Sequence, residues 1–182
     1  KNMIMVTLGT GVGGGILIGG WILTGAHGAG GEIGHLCVNY GETEKCGCGN
    51  YGCLEQYASA TGITRLAKKR LESTEQDSTL RKGPVNAKTV FDAVKAGDRL
   101  ADEIAVEFGR YLGYALANLA AAIDPSVIVI GGGVSKAGKV LIPYVETPYK
   151  ERAFFANQDV TFALAELGND AGICGAAKMV LD

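Results

Sequence analysis

The sequence predicts an α/β fold built on a mixed sheet. A long helix is predicted over residues 100 to 123, where apolar residues recur with helical spacing. It is followed by VIVIGGG at residues 127 to 133, which is typical of a buried strand that runs into glycines. Residues 3 to 8 (MIMVTL) form another short apolar run that ends in glycine. Buried strands and helices in this arrangement indicate an α/β architecture.

The segment after the first strand is unusually rich in glycine. Residues 9 to 15 (GTGVGGG) are predicted to form a glycine-rich loop. The short apolar runs ILI and WIL lie on either side of Gly19 and Gly20, which is a two-residue hairpin signal. Residues 24 to 53 combine glycine with polar residues and are predicted to be a long loop.

The rest of the chain alternates between helical and extended patterns. The long helix ends at Asp124-Pro125, because the residue before a proline disfavours helix. We predict these further elements in chain order: a helix over 54–72 with a break near Thr61 and Gly62, a polar loop over 73–86, a helix from Asn86 or Thr89 to Gly97, partly helical residues 139–155, a strand over 160–165 and a closing helix over 172–181.

Length and composition restrict the class of protein. The 182 residues, with 47% hydrophobic and 20% charged residues, suit one globular domain. The formal net charge of −2 favours neither nucleic acid nor an anionic membrane as a partner. The sequence shows neither the pattern of a signal peptide nor an apolar run of about 18 residues, so we expect a cytoplasmic protein. Because the chain begins with Lys1 and Met3 lies inside a strand-like run, we expect it to be a piece of a longer protein.

The cysteines are clustered. In a reducing compartment such clusters bind metal more often than they form disulfides, although a disulfide within the cluster remains an alternative. Three thiols and one imidazole complete a tetrahedral zinc shell, which leaves no open position and is therefore structural. The candidate ligands are His35, Cys46, Cys48 and Cys53. Cys37 and Cys174 stand in apolar settings and are interpreted as buried thiols.

Three glycine-rich junctions indicate a nucleotide site. In GTGVGGG, backbone N–H groups can converge on an anion, and the Thr10 hydroxyl can add a donor. GGGVS at 131–135 and LGNDAG at 167–172 also follow predicted strands, where ligands bind in open α/β sheets. The alternative is that each junction is only a tight turn.

Two glutamates and a histidine could bind a polyhydroxylated ligand. If the chain turns helically between Glu32 and His35, both side chains lie on one face. Glu55 follows the last clustered cysteine closely. Carboxylates accept hydrogen bonds from sugar hydroxyls. The alternatives are a solvated loop charge for Glu32 and a favourable first-turn charge for Glu55.

Five motifs together resemble the ROK family of bacterial sugar kinases and sugar-responsive repressors, and the similarity is greatest to the glucokinases of that family. The motifs are GTGVGGG at 9–15, GAGGEIGH at 28–35, CGCGNYGCLE at 46–55, DPSVIVIGGGVS at 124–135 and LGNDAGICGAA at 167–177. The residues from about 65 to 100 carry no motif.

The resemblance implies a fold and a set of site residues. The implied fold is the actin-like, ribonuclease H-like sugar kinase fold of two lobes, with residues 1–182 as a single C-terminal lobe and the N-terminal lobe outside this chain. The implied zinc ligands are His35, Cys46, Cys48 and Cys53. The implied sugar contacts are Glu32, His35 and Glu55. The implied ATP contacts are Gly9, Thr10, Gly11, Gly13, Gly14, Gly131, Gly132 and Gly133.

The resemblance also implies a reaction. We expect the parent protein to phosphorylate a hexose with ATP and Mg²⁺. Glucose, converted to glucose 6-phosphate, is the hexose we favour. We also expect the parent protein to form a homodimer. The general base of the family is an aspartate upstream of GTGVGGG, so no catalytic residue is assigned here and the chain alone is expected to be inactive. The Asn169-Asp170 pair is no substitute, because it falls in the family's C-terminal nucleotide motif.

Three other functions remain open. The first is a sugar-sensing repressor with a DNA-binding region far upstream. The second is a kinase for N-acylmannosamine, fructose or N-acetylglucosamine. The third is a non-catalytic, zinc-stabilised assembly module, which the convergent glutamates disfavour. An intact glycine loop favours a kinase over a repressor, because a pure sensor does not need to bind phosphate.

Overall fold

A computed structural model describes residues 2 to 171, and the strands of this part form one mixed five-stranded sheet. The strands are β1 (Met3–Leu8), β2 (Val12–Ile18), β3 (Trp21–Ile22), β4 (Val127–Gly131) and β5 (Thr161–Leu164). Their order is β3-β2-β1-β4-β5. The pairs β1–β2 and β2–β3 are antiparallel, whereas β1–β4 and β4–β5 are parallel. The predicted α/β fold with a mixed sheet is confirmed.

Helices connect and cover the sheet. They are α1 (Glu55–Ala58), α2 (Ala60–Ser73), α3 (Ala87–Lys95), α4 (Arg99–Ile123) and α5 (Leu141–Arg152). Short 3₁₀ segments cover Ile33–His35, Thr79–Lys82, Val134–Val140 (interrupted at Gly138), Phe155–Asn157 and Gly168–Asp170. Among residues 2–171 no helix combines the length and apolar character that a membrane span requires. The predicted closing helix over 172–181 lies outside the described residues.

Helix ends follow capping chemistry. Asn86 starts α3, because its side chain accepts from the Thr89 N–H and the Thr89 hydroxyl accepts in return from the Asn86 N–H. The predicted break in the helix over 54–72 exists, but it lies at Ser59 and not near Thr61-Gly62. The reason is that Ser59 takes an extended conformation and caps α2 by accepting from the Gly62 N–H.

The glycine-rich segment is less of a loop than its composition indicates. Only residues 9 to 11 form a turn, and residues 12 to 15 belong to β2, where they pair with β1. The predicted loop over 9–15 is therefore wrong in its second half, because backbone pairing outweighs the low strand preference of glycine there. The hairpin is confirmed: Gly19 and Gly20 both have positive φ (63° and 97°), as this tight turn requires.

The core lies between the sheet and α4. Val6 of β1 and Ile130 of β4 are fully buried, as are Phe108 and Leu112 of α4. α4 also packs closely on α5 at Gly109, where a Cβ would lie 1.9 Å from the Tyr144 carbonyl oxygen. Because β1 and β4 are parallel neighbours, their carboxyl ends meet at one edge of the sheet. This edge carries the candidate site.

Candidate functional site

The segment between β3 and α1 has little regular backbone pairing. Its described pairings are the isolated bridges Cys37–Cys53 and Lys45–Tyr51 and a few loop hydrogen bonds, among them Val38 N–H to Gly52 O at 2.7 Å. The tip is a tight turn, in which the Cys46 N–H donates to Asn50 O at 2.7 Å. Side chains must therefore supply much of what holds this segment in shape.

Four side chains converge at one point in this segment. The ligand atoms of His35, Cys46, Cys48 and Cys53 all lie within 4.8 Å of one another. The Cys46 Sγ lies 3.8 Å from the His35 Nδ1, and the Cys48 Sγ lies 3.7 Å from the Cys53 Sγ. Tetrahedral zinc with Zn–S bonds of about 2.3 Å places two sulfurs about 3.8 Å apart. The donor set and its spacing fit a closed zinc shell.

The thiols of this cluster differ in their environment. A hydrogen bond from the backbone N–H of Asn50 lowers the pKa of Cys48, whereas burial raises the pKa of Cys53 to about 12. A thiolate at Cys53 would thus need a cation beside it.

All four described cysteines are free thiols. Cys37 is exposed, contrary to the prediction of a buried thiol, because its apolar segment runs along the surface. Cys174 lies outside the described residues.

A partly buried ion pair connects the same loop to α2. The Glu42 carboxylate, 7% exposed, accepts hydrogen bonds from the Arg65 guanidinium and the Tyr57 hydroxyl. Burial raises the pKa of Glu42, but hydrogen bonds from Tyr57, the Glu44 N–H and Arg65 outweigh it and lower the pKa to about 2. Arg65 also reaches Glu44 at 2.6 Å. Sequence reasoning missed this pair, because its partners are 23 residues apart.

The three predicted sugar contacts lie around the cluster. With its Nδ1 towards Cys46, His35 has its Nε2 on the side of Glu32, 4.0 Å from that carboxylate. The chain does turn helically here, in a 3₁₀ segment, but Glu32 is 67% exposed. Glu55 lies in the first turn of α1 and reaches further: its Oε2 accepts from the Val12 N–H at 3.1 Å, and its Oε1 lies 3.8 Å from the Cys46 Sγ.

Glycine allows this close packing. A Cβ at Gly11 would lie 2.1 Å from the Glu55 Oε2, and one at Gly14 would lie 2.4 Å from the Gly31 carbonyl oxygen. A Cβ at Gly34 would lie 2.2 Å from the Val12 carbonyl oxygen. Gly14 therefore lies beneath the segment that leads to His35, whereas Gly11 is next to Glu55.

Two of the three predicted glycine junctions, at 9–15 and 131–135, meet at the edge of the sheet. A Cβ at Gly132 would lie 2.6 Å from the Leu8 carbonyl oxygen, so the turn after β4 touches the end of β1. An open groove of about 370 Å³ lies here and is lined by Thr7, Gly9, Gly11, Val12, Gly13, Glu55 and Gly132. The N–H groups of Thr10 and Gly11 donate to no acceptor among residues 2–171. The groove thus combines backbone donors for an anion with a carboxylate for hydroxyl groups.

A larger cavity adjoins the groove at Thr10. Its volume is about 520 Å³, within the range of sites for small ligands. Its walls come from α2, α3 and the turn after β4, and include Ala60, Phe91, Gly133 and Ala137. Of the predicted ATP contacts, Thr10 and Gly133 line it, whereas a Cβ at Gly131 would meet the Met5 side chain instead.

Sequence reasoning missed most of this cavity. α3 lies in the stretch without a recognisable motif, and Phe91 reads there as an ordinary core residue. α2 also contributes its positive N-terminal end, because the Ala60 N–H donates to Gly9 O at 2.8 Å and so holds that helix end beside Thr10. No sequence signal connects α2 with the glycine turn.

The chain belongs to the ROK family, whose model matches residues 1–182. It is 46% identical over 185 residues to a glucokinase of Halalkalibacterium halodurans, covering 99% of this chain and 56% of that protein. A crystal structure of a ROK family glucokinase from Streptomyces griseus in complex with glucose and AMPPNP superposes with a TM-score of 0.87 at 35% identity, covering 98% of this chain and 60% of the other.

The same fold also occurs in a regulator. The structure of a ROK family transcriptional regulator, a homologue of the Escherichia coli MLC protein, superposes with a TM-score of 0.85 at 32% identity, covering 97% of this chain and 44% of the other. The chain thus spans little more than half the length of the curated glucokinase it matches.

The metal assignment has a direct test. We expect the purified chain to carry about one zinc ion per molecule and Cys46→Ser to lose it together with thermal stability, because metal binding energy is folding energy at such sites. Cys37→Ser, a change to an exposed thiol of the same loop, is the matched control and should keep both. Metal analysis by mass spectrometry and thermal unfolding are the measurements. Full zinc occupancy in Cys46→Ser would contradict the assignment.

The Glu42–Arg65 pair has a pH-dependent consequence. The pKa of Glu42 is about 2 when folded and 4.5 ordinarily, so its stabilisation is complete above about pH 5 and is lost as the pH falls towards 2. At pH 7 we expect Glu42→Gln to lower the free energy of unfolding by about 1.5–3 kcal/mol, since a charge-assisted hydrogen bond is lost.

Urea unfolding at a series of pH values measures this. The difference between wild type and Glu42→Gln should shrink below pH 5. Glu44→Gln, at a carboxylate that is 57% exposed, is the control and should cost at most about 1 kcal/mol. A difference for Glu42→Gln that stays constant down to pH 2 would argue against a lowered pKa.

Proposed function

We propose that this chain is the C-terminal lobe of a two-lobed, ATP-dependent hexose kinase that converts glucose to glucose 6-phosphate. One observation carries the proposal: the hydrogen bond from the Val12 N–H to the Glu55 carboxylate. It joins a group suited to sugar hydroxyls to the glycine turn suited to phosphate, within one groove. Phosphoryl transfer needs the two substrates side by side.

The relatives support this reading. The curated protein that is 46% identical is named a glucokinase, and the superposed Streptomyces griseus glucokinase was solved with glucose and AMPPNP. Hexose and ATP are therefore the substrates we assign to the groove and the adjoining cavity. The cavity next to Thr10 has room for a nucleoside, and its lining alanines and Phe91 suit the apolar faces of a base.

In this proposal each residue positions a substrate. Glu32 and Glu55 accept hydrogen bonds from sugar hydroxyls, and His35 donates a hydrogen bond to one. The N–H groups of Thr10 and Gly11 point to phosphate oxygens, beside the N-terminus of α2. Mg²⁺ bound with the triphosphate would offset part of its negative charge.

The zinc shell has a structural role in the proposal. Its four protein ligands leave no position for substrate, so the metal would fix the loop rather than take part in the reaction. The transfer is then an in-line displacement: a sugar oxygen bonds to the terminal phosphorus as the bond from that phosphorus to ADP breaks, and ADP keeps the electron pair. The hydroxyl proton passes to a carboxylate that we assign to the other lobe.

A sugar-responsive regulator is the second candidate, because a ROK transcriptional regulator has the same fold. We favour the kinase, since the turn at residues 9–11 leaves the N–H groups of Thr10 and Gly11 available for phosphate. We also propose, from the family resemblance, a cytoplasmic homodimer. The exposed apolar side chains of Trp21 (82% exposed) and Ile22 (64% exposed) on the edge hairpin would suit such a contact.

The experiment is a coupled assay of ADP formation by the full-length protein with glucose, fructose, N-acetylglucosamine and N-acetylmannosamine. We expect the highest kcat/KM with glucose, and no turnover by residues 1–182 alone, because a missing base costs about 10²–10⁴-fold in rate. Higher kcat/KM with another sugar would overturn the glucose assignment. Absence of turnover with every sugar, together with sugar-dependent DNA binding, would favour the regulator.

The sugar contact at Glu55 can be tested separately in the full-length protein. We expect Glu55→Gln to weaken glucose binding about 10- to 100-fold, because the neutral amide accepts from hydroxyl groups less strongly. ATP binding should change much less. Calorimetry with each ligand measures both, and Glu72→Gln, at an exposed glutamate of α2, is the control. An unchanged glucose affinity would show that Glu55 does not bind the sugar and has only a structural role in the first turn of α1.

A further inference from the structure

The floor of the groove contains a hydroxyl group, that of Thr7, to which the proposed function assigns no substrate contact. Thr7 is exposed in β1, although its neighbours Val6 and Leu8 are fully buried. Its partner in β2 is Gly13 and its partner in β4 is Gly131, so the residues on both sides of it in the sheet lack side chains. The hydroxyl is uncovered for this reason.

The space beside this hydroxyl depends on glycine. A Cβ at Gly13 would lie 2.6 Å from the Thr7 Oγ1, too close for any other residue without a shift. Within residues 2–171 the Thr7 hydroxyl makes no hydrogen bond to protein, whereas the Thr64 hydroxyl, for example, donates to Ala60 O. Thr7 therefore has a free donor in an open groove.

The other groups in the groove define what this donor meets. Backbone of Gly9, Gly11 and Gly132 forms the walls, and Glu55 is the single charged side chain among the described lining residues. Thr7 is the single side-chain hydrogen-bond donor in that lining. A ligand that enters between the glycine turns and Glu55 thus passes over the Thr7 hydroxyl.

We propose that Thr7 is a catalytic residue whose hydroxyl donates a hydrogen bond to an oxygen of the terminal phosphoryl group during transfer. The inference rests on the proposed kinase function. The hydroxyl keeps its proton throughout and forms no covalent bond. Negative charge that spreads over the phosphoryl oxygens in the transition state would strengthen this hydrogen bond. A terminal phosphate meets Thr7, whereas ADP, which lacks that phosphate, does not.

The test uses Thr7→Val, which removes the hydroxyl at nearly constant shape, and Thr7→Ser, which retains it, in the full-length protein. We expect Thr7→Val to lower kcat about 10²- to 10³-fold with glucose affinity unchanged, and Thr7→Ser to recover most of the rate. Calorimetry should show weaker binding of AMPPNP and unchanged binding of ADP by Thr7→Val. Thr161→Val, at an exposed threonine of the edge strand β5, is the matched control and should leave all of these values unchanged.

The outcomes separate this inference from the proposed function. If the wild type phosphorylates no sugar, the kinase assignment fails, while the comparison of AMPPNP with ADP still tests Thr7. Equal losses of AMPPNP and ADP affinity, or a melting temperature of Thr7→Val well below that of Thr7→Ser, would indicate a structural role and overturn the inference. So would an unchanged kcat in Thr7→Val.

Discussion

Four side chains converge on one point in the long segment between β3 and α1, which has little backbone pairing of its own, and a bound zinc ion would hold the segment there. Three thiols and an imidazole have the chemistry and the spacing of a closed zinc shell, and the loop they would close leads directly into α1. The Glu42–Arg65 pair adds a second attachment, from the loop to α2. With zinc bound, the cluster and this ion pair together would fix where α1 begins, and with it the carboxylate of Glu55.

Glu55 connects the two parts of the candidate site. Its carboxylate lies between the Cys46 sulfur and the Val12 N–H, so the cysteine loop and the glycine turn share one group. The glycines at positions 11, 14 and 34 permit this approach, because a Cβ at any of them would collide with the opposite segment. In the proposed kinase the same contact places a sugar hydroxyl next to a phosphate, which is the main requirement for phosphoryl transfer.

Much of the fold could be predicted, because periodicity, caps and turn residues act locally. The long helix, the Gly19-Gly20 hairpin and the Asn86 cap follow from residues close together in sequence. The cysteine cluster was predictable from the chemistry of its ligands. The continuation of β2 through residues 12–15 was not, since strand pairing with β1 decides it. The Glu42–Arg65 pair and the cavity beside α3 were not predictable either, because each joins elements that are far apart in sequence and carry no shared motif.

In the proposed kinase, the zinc-closed loop holds the carboxylate of Glu55 in place as a ligand for the sugar. The most direct test is calorimetry of glucose and of AMPPNP binding to the full-length protein before and after removal of zinc with a chelator, with zinc restored in a third sample. We expect glucose affinity to fall by at least an order of magnitude without zinc and to return with it, while AMPPNP binding falls much less. Glucose affinity that is unchanged in zinc-free protein would contradict the account.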